Sequence, residues 1–534
     1  MPNAAQKIWV EGRAVVALTR AGFLGLEPPG KFREMLRALK DYGSFGASSR
    51  VAAIRHGDQP AIDDEFGEIT FAEFDALTNR VAGVLAARGL GPGSTVGILC
   101  RNHRFPLAVA FAASRAGVSA VWLNTAFSPR QVKEVAEREG VELLVHDTEF
   151  EDAVTGIDLK FGRLACCEGA TAADRLEEAA AAQNSELPPV PDRPGRIVLL
   201  TSGTTGTPKG APRPEPKSLV LPGAILERMP MGSREATAIG PPLYHGTGLL
   251  LSLMSIALGS KLILRRRFEP DRFLADLERH RVTTVCVVPV MLQRLLALGP
   301  DEVSRHDLGA LHAIFCAGSQ LPGETAVRAL DRFGDVVYNL YGSTEVSVAT
   351  LATPADLRVA PTSVGRPALG SEVRIVGDDG EALSAGQIGR VYVGTGMPFE
   401  GYTGGGGKDI IDGLLATGDV GHFDSAGRLY IDGRDDDMIV SGGENVFPGE
   451  VEEILITHPA CADVAVIGVE DEEFGQRLRA FVVPADGETV TEVEVQEFVK
   501  NNLARYKVPR EVLFLEELPR NPTGKVLKRE LATL

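Results

Sequence analysis

Residues 196–210 read Arg-Ile-Val-Leu-Leu-Thr-Ser-Gly-Thr-Thr-Gly-Thr-Pro-Lys-Gly. The apolar run at 197–200 is typical of a buried strand in a parallel sheet. It continues into a loop with three glycines, five hydroxyl residues and Lys209. Backbone N–H groups beside glycine, hydroxyl donors and an ammonium group are what a polyphosphate binds. A flexible linker is disfavoured because a buried strand leads directly into the loop.

This loop differs from the G-x-x-x-x-G-K-[ST] nucleotide loop. Pro208 separates the last threonine from Lys209, and Gly210 stands where that loop has a hydroxyl residue. The sequence therefore predicts phosphate binding on a different nucleotide-binding fold.

Strand-like and helical patterns alternate on the N-terminal side of the loop. Residues 95–100, 118–123 and 141–145 are β-branched runs, and residues 106–116 and 128–139 between them have helical patterns. This alternation predicts an α/β fold with largely parallel sheets flanked by helices. Ligands of such folds bind at the carboxyl ends of the strands.

The helical and strand-like patterns of the sequence change along the chain. We predict an N-terminal helical extension (residues 1–45), a large domain (46–433) with a β-rich subdomain at about 366–431, a hinge (434–437) and a small α/β domain (438–534). Apolar residues of the extension recur at near-helical spacing between lysines and arginines. This segment is expected to dock on the protein body, with a lipid surface as the alternative.

Charge and composition exclude several classes of protein. The 534 residues include 55 Lys and Arg against 72 Asp and Glu, a formal charge of −17 that disfavours nucleic-acid binding. The apolar stretch at 248–258 is too short to cross a membrane. Charged residues Glu11, Arg13 and Arg20 interrupt any signal-peptide pattern.

The six cysteines have neither metal-ligand spacing nor the density of a disulfide framework. We expect buried, reduced thiols and a cytoplasmic protein.

The loop at 201–209 resembles the phosphate-binding signature of the adenylate-forming superfamily, which includes acyl-CoA synthetases, adenylation domains of peptide synthetases and luciferases. The resemblance extends from about Phe45 to the C-terminus, and the chain looks most similar to bacterial fatty-acyl-CoA synthetases. It implies that the bound phosphates are those of ATP and that the following residues hold them: Thr201, Ser202, Gly203, Thr204, Thr205, Gly206 and Lys209.

Residues 341–345 (Tyr-Gly-Ser-Thr-Glu) resemble the second signature of the superfamily. The resemblance implies that Tyr341 stacks on adenine, that the hydroxyl of Thr344 meets a phosphate and that Glu345 binds Mg²⁺. The remaining residues assigned to the nucleotide by the same resemblance are Gly342, Ser343, Asn339, Gly318, Ser319 and Gln320.

Three further positions match residues of the superfamily that act on ATP. Asp419 matches the ribose-binding carboxylate, and Arg434 matches a second ribose contact. Lys525, in the segment Asn-Pro-Thr-Gly-Lys at 521–525, matches the catalytic lysine that places positive charge at the α-phosphate.

Other positions match residues that act on the acid and on the thiol. His245 matches the residue that gates the carboxylate pocket. Gly442, Gly443 and Glu444 match the loop that lines the pantetheine tunnel, and Asp436 matches the hinge about which a mobile C-terminal domain turns.

The resemblance implies a ligase of two steps. A carboxylate attacks the α-phosphate of ATP to give an acyl-adenylate, and coenzyme A then displaces AMP. Apolar residues at 249–258 and 285–296 favour a medium- or long-chain fatty acid, although such runs are more often plain core. An aryl acid, an amine or carrier-protein acceptor, and a catalytically silent nucleotide- or lipid-binding protein are the alternatives. Oligomeric state is left open.

Two segments depart from the pattern of the superfamily. Three prolines within 211–216 are expected to delay the next helix to about Ser218. Residues 401–407 (Gly-Tyr-Thr-Gly-Gly-Gly-Gly) stand in place of a longer segment of the superfamily.

Overall fold

A computed structural model describes residues 4–167, 175–200, 209–213, 218–396, 399, 401–403, 405, 407–441, 444–471, 475–521 and 524–534. The chain divides into two compact units. The first comprises residues 1–316, 342–348 and 395–408, and the second comprises residues 317–341, 349–394 and 409–534. The predicted hinge at 434–437 and the domain boundaries beside it stay predictions.

The first unit alternates strands and helices along the chain. Its strands are β1 (Pro60–Asp64), β2 (Gly67–Thr70), β3 (Thr95–Leu99), β4 (Ser119–Trp122), β5 (Leu143–Asp147), β6 (Arg163–Cys166), β7 (Ile197–Leu200), β8 (Gly210–Arg213), β9 (Ala236–Ile239), β10 (Lys261–Leu264), β11 (Thr284–Val287) and β12 (Ala313–Cys316).

The helices of this unit are α1 (Ala4–Arg20), α2 (Pro29–Gly46), α3 (Ser48–His56), α4 (Phe71–Ala87), α5 (Arg104–Arg115), α6 (Pro129–Arg138), α7 (Glu151–Val154), α8 (Leu176–Ala181), α9 (Val220–Leu226), α10 (Gly246–Leu258), α11 (Pro270–Arg279), α12 (Pro289–Ala297) and α13 (Gly299–Val303).

Two sheets organise the first unit. One has the order β6-β5-β3-β4-β7-β8, with parallel pairing except between β7 and β8. In the other, the strands of this unit follow the order β12-β11-β9-β10-β1-β2, and β1–β2 is the antiparallel pair among them. The predicted α/β class with largely parallel sheets is confirmed.

Local predictions around the phosphate loop are confirmed and extended. The run at 197–200 forms β7, which pairs in parallel with β4. Helix α9 begins at Val220, close to the delayed start expected from the prolines. The sequence did not indicate that residues 210–213 form β8, antiparallel to β7. Arg213 pairs with Ile197 at one end of this hairpin and Gly210 with Leu200 at the other.

The apolar runs considered for an acyl tunnel lie in the protein core. On α10, the buried side chains include Leu251, Met254, Ile256 and Leu258, and the helix packs against α3, β9 and β10. The run at 285–296 belongs to β11 and α12, whose apolar side chains are also mostly buried. Core packing therefore explains both runs without a tunnel.

The second unit contains three groups of strands: β13 (Val337–Tyr341), β14 (Thr350–Ala352) and β15 (Arg366–Pro367); then β16 (Glu372–Val376), β17 (Gly389–Gly394), β18 (Ile410–Ile411), β19 (Leu414–Phe423) and β20 (Leu429–Arg434); then β21 (Ile439–Ser441), β22 (Glu444–Val446), β23 (Cys461–Asp471), β24 (Gly475–Pro484) and β25 (Glu511–Phe514). Its helices are α14 (Gly323–Phe333), α15 (Pro354–Val359), α16 (Pro448–Leu455), α17 (Glu492–Asn502) and α18 (Lys528–Leu531).

Pairing differs between these groups. The pairs β13–β14 and β14–β15 are antiparallel, and so are all pairs in the β16–β20 sheet. The third sheet has the order β22-β21-β24-β23, with β25 parallel to β24. Its core includes Val451, Leu455, Val466, Ala480 and Val495.

All six cysteines are buried free thiols, as the sequence predicts. Three of them, Cys100, Cys166 and Cys167, lie near the Asp147 carboxylate together with His103. The Nδ1 atom of His103 accepts a hydrogen bond from the Phe105 N–H, so Nε2 carries the proton that it donates to Asp147 at 2.8 Å. The cluster satisfies its own hydrogen bonds, and His103 has no lone pair free for a metal ion.

Among the described residues, no helix combines the length and the apolar character needed to cross a bilayer.

Candidate active site

A tight loop in the first unit carries Glu345. The Ser343 Oγ donates to Glu345 Oε2 at 2.8 Å, and it accepts from the backbone N–H of Glu345 at 3.2 Å. The loop closes through a 2.8 Å hydrogen bond from Ser347 N–H to the Ser343 carbonyl. A Cβ atom at Gly342 would lie 1.9 Å from the Ser347 carbonyl oxygen, so only glycine fits there. Gly342 and Ser343 therefore shape the loop around the carboxylate.

Tyr402 contacts the same carboxylate from another loop. Its hydroxyl donates to Glu345 Oε1 at 2.5 Å. Burial raises the pKa of Glu345, but hydrogen bonds from Tyr402 and Ser343 outweigh burial, so the pKa lies below its usual value. An ionised carboxylate with oxygens held in place suits a hard cation such as Mg²⁺.

The Tyr402 loop also reaches the end of the phosphate loop. Lys209 Nζ lies 5.4 Å from the Tyr402 ring centroid. Thr403 donates through its N–H to the Gly210 carbonyl at 2.9 Å and through its hydroxyl to Glu139 at 2.7 Å. The segment that the sequence marked only as a departure thus connects Lys209 with Glu345. The predicted contacts of Thr201, Ser202, Gly203, Thr204, Thr205 and Gly206 lie outside the described residues.

His245 occupies the N-cap position of α10, after β9, and its side chain makes no capping hydrogen bond. Its ring centroid lies 4.7 Å from that of Tyr244. The residue is partly accessible, but its Nε2 atom is buried and has no hydrogen-bond partner, and burial lowers the pKa of His245 to about 4. With a pKa of about 4, His245 is a neutral imidazole at physiological pH. Asn102 holds the preceding loop by donating to the Pro241 carbonyl at 2.9 Å and accepting from Leu243 N–H at 2.8 Å.

In the second unit, Tyr341 ends β13 and meets Asp419 on β19. The Tyr341 hydroxyl donates to Asp419 Oδ2 at 2.5 Å, and Arg434 Nη1 lies 3.3 Å from Asp419 Oδ1. Burial and the Asp419 charge raise the pKa of Tyr341 well above its usual value. Thr417 accepts from Asp419 N–H at 3.1 Å. The structure thus brings together three residues that the sequence assigns to adenosine.

The other adenine candidates occupy the same unit. Asn339 is buried on β13, opposite Ala352 of β14. Gly318 has a positive φ of 101°, and Ser319 and Gln320 follow it before α14. Gln320 is exposed, with its amide close to Gly449. Thr344 is a partly buried member of the Glu345 loop in the first unit.

Lys525 sits on a loop closed by its own backbone. Its N–H donates to Asn521 Oδ1 at 2.9 Å, and its carbonyl accepts from Asn521 N–H at 2.9 Å. Arg520 anchors this loop because its guanidinium donates to both carboxylate oxygens of Asp463, each at 2.7 Å, and to the Gly524 carbonyl. The lysine is partly exposed at the tip.

Two predicted regions are seen only in part. Glu444 begins β22 and pairs with Ser441 of β21, whereas Gly442 and Gly443 lie outside the described residues. Asp436 lies in the short 3₁₀ turn Asp435–Asp437 between β20 and β21.

Sequence reasoning missed the residues that support the predicted ones: Tyr402, Thr403, Glu139, Asn102, Arg520 and Asp463. The tyrosine beside a glycine run was a signal for the first two. Glu139, Asn102 and Asp463 are far in sequence from their partners, and Arg520 directly precedes the segment 521–525 but lies outside its motif.

Comparison with known proteins assigns the chain to a family. The AMP-binding enzyme family matches residues 49–403, and its C-terminal domain matches residues 450–525. The chain is 33% identical over 491 residues to a feruloyl-CoA synthase of Amycolatopsis sp., covering 91% of this chain and 96% of that one. It is 32% identical over 488 residues to an indoleacetate–CoA ligase of Aromatoleum aromaticum, covering 88% and 93%.

A solved structure shares the fold. The amide bond synthetase McbA of Marinactinospora thermotolerans superposes with a TM-score of 0.81 at 29% identity, covering 92% of this chain and 99% of that one. The chain belongs to the AMP-binding enzyme family, within the adenylate-forming superfamily. It is an AMP-forming acid–CoA ligase that uses ATP, Mg²⁺ and coenzyme A and passes through an acyl-adenylate.

Proposed function

We propose that the ligase activates an aromatic or arylalkanoic carboxylic acid. The supporting observation is the similarity, over about nine-tenths of the chain, to ligases named for ferulate and indoleacetate. The apolar runs in α10, β11 and α12 are mostly buried, so core packing accounts for them and they give no separate argument for an aliphatic acid.

The site residues have the following proposed roles. Lys209 and the loop before it hold the β- and γ-phosphates, Asp419 with Arg434 holds the ribose, and the Tyr341 ring stacks on adenine. Glu345 is suited to hold Mg²⁺, which neutralises phosphate charge when bound. Lys525 places its ammonium group at the α-phosphate during adenylation. No covalent bond to the enzyme is needed, since AMP is the leaving group.

Neutral His245 is proposed to border the carboxylate end of the acid site. Its buried Nε2 has no hydrogen-bond partner within the protein, and the Tyr244 ring beside it offers an aromatic neighbour. For the second step, a turn of the C-terminal domain at Asp436 would withdraw Lys525 and bring residues 441–445 to the thiol.

The test is AMP release from the purified protein with ATP, Mg²⁺ and coenzyme A, across acids of matched concentration. Cinnamate-like, indole-containing and benzoate-like acids should give kcat/KM at least tenfold above those of C8–C16 fatty acids and of short anionic acids. A preference for a fatty acid or a short acid would refute the proposal. The Lys525→Ala variant serves as the control for background ATP hydrolysis.

A medium- or long-chain fatty acid is the second candidate. It is favoured by the basic, apolar surface of α1 and α2, because such a surface suits an enzyme whose substrate partitions into lipid. The same screen separates the two candidates.

The acceptor is tested in parallel, because McbA is named as an amide bond synthetase. Aniline and alkyl amines replace coenzyme A in a matched set of reactions. Amide formation faster than thioester formation would move the proposal to an amide ligase.

A further inference from the structure

Exposed apolar side chains are concentrated at the N-terminus. Within the described part of the chain, eight of the nineteen exposed large apolar residues fall between residues 4 and 39. They are Ile8, Trp9, Val15, Val16, Leu26, Phe32, Leu36 and Leu39. Single exposed apolar residues are ordinary, but a concentration of this kind marks a surface that meets an apolar partner.

On α1 these residues form one stripe. Ile8, Val15 and Val16 are seven and eight positions apart, so they lie on the same side of the helix. The opposite side packs on α9 through Ala14, Ala17 and Leu18, which are buried.

The contact between α1 and α9 is close. A Cβ at Gly223 would lie 2.6 Å from the Ala14 Cβ. An ion pair between Arg13 and Glu227 and a 2.7 Å hydrogen bond from Ser218 to Glu11 add to it. The expected docking on the protein body is thus confirmed, and it uses only one side of the helix.

Helix α2 repeats the arrangement. Phe32, Leu36 and Leu39 follow each other at intervals of four and three residues and are exposed. The opposite side buries Ala38 and Tyr42, whose hydroxyl donates to the Pro188 carbonyl at 2.8 Å. Both helices are therefore fixed to the first unit while each leaves an apolar stripe uncovered.

The charge of this segment is opposite to that of the whole protein. Residues 4–41 contain seven Lys and Arg against four Asp and Glu, a net charge of +3 in a chain of −17. Two of the four acids are paired with arginines of the protein body, Glu34 with Arg50 and Glu27 with Arg55, and one of the seven bases, Arg13, is paired with Glu227. Few unpaired carboxylates therefore remain near the exposed lysines and arginines of this segment.

We propose that the exposed stripes of α1 and α2, with the lysines and arginines beside them, dock this ligase on an anionic lipid bilayer. The helices would lie in the headgroup plane and not cross it. Apolar stripes bordered by basic residues, with a tryptophan, are typical of interfacial helices, and anionic headgroups attract the positive charge. A second copy is disfavoured as the occupant, because two surfaces of the same positive charge repel each other.

The test is co-sedimentation of the full-length protein with vesicles. Vesicles of phosphatidylcholine with 30% phosphatidylglycerol should sediment the protein at low salt, about tenfold more than phosphatidylcholine alone, and high salt should reverse this binding. The double variant Val16→Glu/Leu36→Glu should partition at least tenfold more weakly. Because both side chains are exposed, its thermal unfolding and its activity on a water-soluble acid should match those of the wild type.

Val359→Glu is the matched control, since Val359 is a similarly exposed apolar residue in the second unit; its vesicle binding should be unchanged. Three results would overturn the proposal: no binding to anionic vesicles, binding that Val16→Glu/Leu36→Glu leaves intact, or a stable dimer by light scattering that this double variant dissociates. None of them depends on which acid the enzyme activates, so failure here is distinct from failure of the proposed substrate.

Discussion

The Tyr341 hydroxyl donates a 2.5 Å hydrogen bond to the Asp419 carboxylate across 78 residues of sequence. The residue assigned to adenine and the residue assigned to ribose are therefore positioned by one another. Arg434, 3.3 Å from the other carboxylate oxygen, completes the group.

Tyr341→Phe tests this link, because it removes the hydroxyl and keeps the ring. We expect the KM for ATP to rise roughly tenfold, since a hydrogen bond to a charged group contributes about 1.5–3 kcal/mol, while kcat changes less. Steady-state kinetics with varied ATP measure both. Tyr338→Phe, on the same strand, is the control and should keep the wild-type KM. An unchanged KM in Tyr341→Phe would show that the hydroxyl does not organise the nucleotide site.

Tyr402→Phe should change the pH dependence of adenylation. The hydrogen bond from Tyr402 helps to hold the pKa of Glu345 below its usual value, so its loss raises that pKa. Less carboxylate is then ionised at mildly acidic pH. On acidification, the rate of ATP–pyrophosphate exchange should fall roughly threefold to tenfold more in the variant than in the wild type. The variant should also need a higher Mg²⁺ concentration for half-maximal exchange. If the pH profiles of Tyr402→Phe and of the wild type coincided on the acidic side, the role given to Tyr402 would be wrong.

Lys525→Ala should separate the two half-reactions. We expect adenylation to fall by about a hundredfold or more, because the ammonium group acts only where charge develops at the α-phosphate. Thioester formation from a supplied acyl-adenylate should be retained. Lys528→Ala is the matched control, since Lys528 pairs with Glu452 at 3.2 Å. Equal loss of both half-reactions would remove the proposed division of labour.

Two histidines should make the fold sensitive to acid. Burial lowers the pKa of His56 and of His245 to about 4, against a usual value near 6.5. Between these pH values the unfolded chain binds protons that the folded chain does not bind. The stabilisation is therefore fully present above pH ~6.5, and the free energy of unfolding falls as the pH drops towards 4. Each histidine accounts for about 2–3 kcal/mol at pH ~4.5.

Urea unfolding of His56→Leu at neutral and acidic pH measures this effect. The variant should lose less stability on acidification than the wild type, and His306→Gln, at a site paired with Glu278, is the control. An identical acid loss in His56→Leu and wild type would exclude His56 as a cause.

Local patterns predicted much of the fold. The apolar run at 197–200 became β7, and the alternating patterns at 95–145 became β3, α5, β4, α6 and β5. These predictions succeed because burial on both faces of a parallel sheet and on one face of a helix leaves a short-range periodicity. The antiparallel strand β8 was missed, because its proline-containing sequence has no such period.

The sequence also predicted the motifs of the site, but it did not indicate the residues that hold them in place. Tyr402 reaches Glu345 across 57 residues, and Thr403 reaches Gly210 across 193. No periodicity connects such distant segments, since their approach depends on how loops return over the sheets.

By itself, the sequence determined the α/β class, because strand and helix periodicity depends on a few neighbouring residues. Through its resemblance to a superfamily it also indicated the kind of chemistry and the residues proposed to carry it. Only the tertiary structure decided that the apolar runs form core, that Tyr402 and Tyr341 hold the two carboxylates, and that one stripe each of α1 and α2 stays uncovered. Those outcomes depend on packing between segments far apart in the chain, where geometry rather than composition decides which groups meet.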